Sequence, residues 1–149
     1  MIEIVEITKS NWQECISLSV SDEQKGFIAS NVYSLAESKF EPEMHPIGFK
    51  KDDSLIGFAM FGYETDENRA WIIRFMIDEK YQNKGLGKEA LSQLIKLLSS
   101  KYVILSIRLC VEPENIMAIK FYEKFGFSST GEKWGNELIF ELKINKTGE

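Results

Sequence analysis

Hydrophobic residues change their spacing several times along this chain, and each change marks an element. Residues 2–7, Ile-Glu-Ile-Val-Glu-Ile, read as an edge strand. Ser10 followed by Gln13 fits a capping box that opens a short helix to about residue 18. Ser21 with Gln24 repeats the box and starts a second helical region carrying Phe27, Ile28, Val32, Leu35 and Ala36, with a break near Asn31. Pro42 and Pro46 bound the irregular stretch after it. Runs at 47–51, 55–63 and 70–77 are rich in Ile, Phe and Trp and predict three strands. The connections between them, Asp52-Asp53 and residues 64–68, are short enough for antiparallel hairpins. Residues 85–100 give the clearest helix, with Leu86, Ala90, Leu91, Leu94, Ile95, Leu97 and Leu98 on one face and Lys88, Glu89, Gln93 and Lys96 on the other. A strand at 102–111 follows, so this segment predicts a right-handed βαβ unit with parallel strands. Pro113 and Asn115 introduce a last helix to about residue 125, and Gly126 stands where a C-terminal cap belongs. Strands at 128–133 and 137–144, turned by Trp134-Gly135-Asn136, close the fold, and the polar tail 145–149 is expected to fray.

With 149 residues and no repeats or linkers, one domain spanning 1–149 is the economical reading. A net charge of −5 argues against a general nucleic-acid binder and suits a cationic small substrate. The first residues are acidic where a signal peptide is basic, and no apolar run reaches membrane length, so a cytoplasmic location away from membranes is expected. Cys15 and Cys110 lie in apolar segments without metal-ligand spacing; they read as buried thiols, and no metal is expected.

The turn into the long helix is Gln82, Asn83, Lys84, Gly85, Leu86, Gly87 and Lys88. Amides at a helix N-terminus lack intrahelical partners and sit at the positive end of the dipole, and glycines let a ligand approach the backbone. Such a turn alone is often only a tight connection. A dinucleotide fold would place it after the first strand, and a phosphate-binding P-loop would follow Gly87-Lys88 with Ser or Thr, whereas this chain has Glu89. On the last helix, Asn115 and Tyr122 stand seven residues apart and project from nearly one face.

The pairing of an Arg/Gln-x-x-Gly-x-Gly/Ala turn with a later Asn-x-x-Ala-x-x-Phe/Leu-Tyr helix resembles the GCN5-related N-acetyltransferase (GNAT) superfamily, over nearly the whole chain. The resemblance implies an α+β (α/β) fold: a mixed, mostly antiparallel sheet of six to seven strands, a central splayed parallel pair, and about four helices. It also implies acetyl-CoA as acetyl donor. The pyrophosphate would lie on the turn amides with Gln82, Asn83, Lys84 and Lys88 around it, the pantetheine arm along Phe75, Met76 and Ile77, and Lys124 within reach of the adenosine phosphates. Tyr122 would be the general acid for the departing thiol. Asn115 reads both as a CoA contact and as a plain N-cap. Glu112, beyond the strand that precedes this helix, is the candidate base, ahead of His45; Arg74, among apolar neighbours, is expected to pair with an acid.

More narrowly, residues 31–37 (Asn-Val-Tyr-Ser-Leu-Ala-Glu), 74–78 (Arg-Phe-Met-Ile-Asp) and Tyr81-Gln82 resemble bacterial spermine/spermidine acetyltransferases. That resemblance implies a small cationic amine as acceptor, with Tyr33, Glu37 and Glu41 as its wall and Glu64, Asp66 and Glu67 as an acidic rim. Alternatives are a protein N-terminus, an aminoglycoside or, in a different class, a non-catalytic acyl-CoA-binding regulatory module. A homodimer is expected through the closing hairpin or the N-terminal helices.

Overall fold

The computed structural model describes residues 1–144, so the expected fraying of 145–149 lies outside the described residues. Seven strands form one sheet: β1 (Glu3–Glu6), β2 (His45–Lys51), β3 (Ser54–Glu64), β4 (Arg69–Ile77), β5 (Ser106–Val111), β6 (Ser128–Trp134) and β7 (Glu137–Lys143). Their order is β1-β2-β3-β4-β5-β7-β6, and every neighbouring pair is antiparallel except β4 with β5. Four helices complete the fold: α1 (Trp12–Ser17), α2 (Asn31–Phe40), α3 (Leu86–Lys101) and α4 (Ile116–Phe125).

Helices cover both faces of the sheet because strand side chains alternate between two apolar layers. Ile56, Ala59, Phe61, Ile72, Ile107 and Phe140 pack with Leu91, Leu94 and Leu98 of α3 and with Tyr122 of α4. Leu55, Phe58, Met60 and Met76 face Cys15 of α1 and Leu35 of α2.

Both expected capping boxes are corrected. Asn11, not Ser10, precedes α1, and its side chain is committed backwards, accepting from Thr8 N at 2.7 Å and donating to Glu6 O at 2.9 Å. Residues 21–29 form turns closed by Gln24 N to Ser21 O (2.9 Å) and Phe27 N to Gln24 O (3.0 Å). Helix α2 starts only after Ser30, whose hydroxyl accepts from Tyr33 N at 3.1 Å. The break expected near Asn31 is therefore the start of the helix. β5 also begins later than the apolar run from 102, because Tyr102 is drawn onto the ring of Tyr63, stacked at 4.3 Å.

β4 and β5 stay paired only from Arg69–Ser106 to Ile72–Leu109. β4 then runs on through 73–77 beside β3, while Cys110 and Val111 stay with β7. A bulge lies at the parting point: Met60 faces Arg74 and Phe61 faces Ile72, so Ile73 is the extra residue on β4. A bulge bends and twists its strand, and here it opens a wedge between two parallel strands.

Candidate active site

The wedge exposes backbone that a sheet would normally use. Asp78 N donates to Ile56 O at 2.7 Å, which makes that facing pair a hydrogen-bonded one. By the alternation of an antiparallel ladder, Phe75 and Ile77 then turn their N–H and C=O groups away from β3 and into the wedge. Ile77 O is taken by Gln82 Nε2 at 2.8 Å. The main chain of Phe75 is left for an extended, amide-bearing ligand to pair with.

At the wide end sits the N-terminus of α3. Gly85 caps it with φ of 77°, a left-handed conformation suited to glycine, and nothing lies within 4 Å of where its Cβ would be. The amides of this 16-residue helix's first turn lack intrahelical partners and sit at the positive end of its dipole, with Lys88 among them, which is the chemistry an anion needs. Gly87 faces α4: a Cβ there would make an ordinary contact with the Phe121 ring at 3.5 Å. Gln82 Nε2 also donates to Gln24 Oε1 at 3.0 Å, which ties the turn to the loop 21–29.

Two cavities open from the wedge. The larger, about 660 Å³, is bordered by Phe75, Met76, Ile77, Gln82, Asn83, Gly85, Gly87, Lys88, Asn115, Tyr122 and Lys124. The smaller, about 460 Å³, is bordered by Arg74, Phe75, Cys110, Glu112, Asn115, Tyr122 and Glu137. Phe27, Ile28, Phe75, Asn115, Ala118 and Tyr122 belong to both, so Tyr122 stands where they meet. Its ring is held edge-on between Phe121 (5.2 Å) and Phe127 (5.6 Å). Burial raises the phenol well above its ordinary pKa, so it stays protonated and available as an acid. Asn115 caps α4, its Oδ1 accepting from Ala118 N at 3.2 Å, and the helix ends at Gly126, φ 125°, as expected.

Lys84 and Leu86 belong to the turn but line neither cavity. The same is true of Tyr33, Glu37, Glu41 and His45. The Glu37 carboxylate is taken by Arg74 Nη2 at 2.8 Å, which supplies the acidic partner expected for that arginine. Glu41 is exposed, and its carboxyl is held above its ordinary pKa by a hydrogen bond and charge from Glu43. His45 pairs with Glu6 at 3.0 Å and stacks on Phe61 at 5.1 Å. Sequence reasoning missed Gln24, Phe27 and Ile28, because their loop reads as helix, and it missed Cys110 and Glu137, which only the sheet register brings to the site.

A helix end with unpartnered amides, a wedge of free strand backbone and a buried phenol where two cavities join suit a thioester carried on a long phosphorylated arm. The chain matches the model of the acetyltransferase (GNAT) family over residues 5–127. It belongs to that family. A spermine/spermidine N(1)-acetyltransferase from Bacillus subtilis (strain 168) is 39% identical over 137 residues, 88% of this chain and 90% of that protein. The structure of PaiA N-acetyltransferase from Thermoplasma acidophilum in complex with coenzyme A superposes with a TM-score of 0.73 at 24% identity, covering 97% of this chain and 99% of that one. The aminoglycoside acetyltransferase AAC(6')-Ib, also in complex with coenzyme A, gives a TM-score of 0.79 at 17% identity, covering 96% and 95%.

As a GNAT enzyme the chain is an acetyl-CoA-dependent N-acetyltransferase, and among the described residues no cluster could hold a metal. The non-catalytic module is set aside with that. The larger cavity fits acetyl-CoA: it offers the α3 amides and lysines to phosphates and the free Phe75 backbone to amides.

Proposed function

We propose that this enzyme transfers the acetyl group of acetyl-CoA directly to a primary amine of spermidine or spermine. The observation that carries the acceptor is the 39% identity, over 88% of this chain, to a protein named for acetylating those amines. The site supports direct transfer, because donor and acceptor cavities share Tyr122 and no second nucleophile is needed between them.

In this reading both substrates bind together and the acceptor nitrogen attacks from the smaller cavity. A free alkylamine has a pKa near about 10, so the bound ammonium must first give up a proton. Glu112, on the wall of that cavity, is the proposed base, directly or through water. As the new C–N bond forms and the C–S bond breaks, Tyr122 gives its proton to the departing sulfur. The turn at Gly85 to Lys88, with Asn115 and Lys124 alongside, holds the donor.

Coenzyme A release measured against a panel of amines tests the acceptor. Spermidine and spermine are expected to give the highest kcat/KM. Turnover that ignores polyamines but rises with a peptide N-terminus or an aminoglycoside would remove the polyamine reading and leave the acetyltransferase intact.

A further inference from the structure

Charge in the acceptor cavity is unevenly distributed. One cation, Arg74, lines it, and its Nη2 is 2.8 Å from Glu37, which lies outside the cavity wall. Arg74 is thereby neutralised from behind. Two carboxylates, Glu112 and Glu137, line the opposite side, and among the described residues neither takes part in an ion pair.

The sheet register explains how they meet. β5 and β7 pair through Cys110–Ile139 and Val111–Leu138. The pairing ends at Val111–Leu138, and Glu112 and Glu137 are the next residue on each strand, both on the wall of the same cavity. Glu137 shares a face with Ile139, and so with Cys110 opposite it. The thiol of Cys110 reports this neighbour: burial first, and then the Glu137 charge, hold it above its ordinary pKa.

We infer that Glu137, on the same cavity wall as Glu112, binds the second ammonium of a diamine or polyamine acceptor and so selects polycations over monoamines. This assignment rests on the polyamine reading above. It also moves acceptor recognition away from α2: Glu37 is engaged by Arg74, whereas Glu137 on the far side of the wedge has no such partner. The acceptor nitrogen that reacts must be neutral and near Tyr122, while the next nitrogen along the chain stays charged. Glu137 holds the charged nitrogen, which leaves Glu112 free to take the proton of the reacting one.

The test compares wild type with Glu137→Gln, and with Glu137→Asp as the charge-conserving control. Glu137→Gln is expected to raise KM for spermidine about tenfold, with KM for acetyl-CoA unchanged and a much smaller effect on a simple alkyl monoamine. Glu137→Asp should recover part of the loss. Thermal melts give a readout that a purely structural role would not produce. The stabilisation that spermidine gives wild type should shrink in Glu137→Gln. If wild type acetylates spermidine and Glu137→Gln keeps its KM and its spermidine-induced melting shift, the assignment of Glu137 is overturned and the polyamine reading stands. If wild type acetylates no polyamine, both fall.

Discussion

At the scale of single residues, Tyr122 carries the strongest consequence. It is buried between two aromatic rings at the junction of both cavities, and desolvation holds its proton in place. Tyr122→Phe keeps the ring and its packing and removes only the hydroxyl proposed as the acid. It should therefore lower kcat by about 10²-fold with little change in acetyl-CoA affinity, in steady-state kinetics and calorimetry respectively. Because burial raises the phenol, the wild-type rate should not fall from about pH 7 to 9 through loss of the Tyr122 proton. A Phe variant with wild-type kcat would take Tyr122 out of the chemistry. This residue was legible in the sequence because its partner, Asn115, lies on the same short helix, so local periodicity places both. Glu137 was not legible: a glutamate after a hairpin turn reads as solvated surface until the β5–β7 register brings it beside Glu112. The Glu37–Arg74 pair was legible from one side only: an arginine among apolar neighbours calls for an acid, but that acid lies 37 residues away in the chain, where no local pattern names it.

At the scale of elements, the wedge depends on the path of β4, and one glycine on β3 sets how closely that path is followed. A Cβ at Gly57 would stand 2.6 Å from Met76 O and 2.9 Å from Ile77 Cδ1, too close for either to stay in place. Gly57→Ala therefore has to push back the strand segment proposed to bind the pantetheine arm. The expected cost is about 1–3 kcal/mol in chemical denaturation, with KM for acetyl-CoA raised several-fold. A variant with wild-type stability would show that β4 can yield there without cost, and the close-packing argument would be lost. Strand identities, the βαβ unit and both ends of α4 were legible because short-range rules govern them: spacing, caps and turns. The bulge at Ile73 was not, because it is a mismatch between two strands and leaves no trace in either one alone. Residues 21–29 misled for a related reason. Gln24 looks like a capping partner, yet it spends its side chain on Gln82, 58 positions away.

For the whole molecule, the two apolar layers do different work. The layer under α3 and α4 carries the site, while the layer under α1 and α2 joins β3 to the N-terminal segment. Cys15 lies at the centre of that second layer, fully buried, and its thiol is raised from 9.0 to about 11, by burial first and by the neighbouring Glu14 charge second. The proton is thus held more tightly in the folded chain than in the unfolded one. Below about pH 9 both states keep it, and the protein has the full benefit. As pH rises from 9 towards 11 the unfolded chain gives up the proton while the fold retains it, so stability falls, by up to roughly 3 kcal/mol from this group alone. Cys15→Ala removes that dependence and leaves a cavity. It should therefore be less stable than wild type near neutral pH, by about 1–2 kcal/mol, and lose less further stability across the alkaline window. Denaturant midpoints at several pH values decide it. Equal alkaline slopes for the two proteins would mean that Cys15 is not the group that titrates, and that the α1 layer opens to water before its thiol ionises.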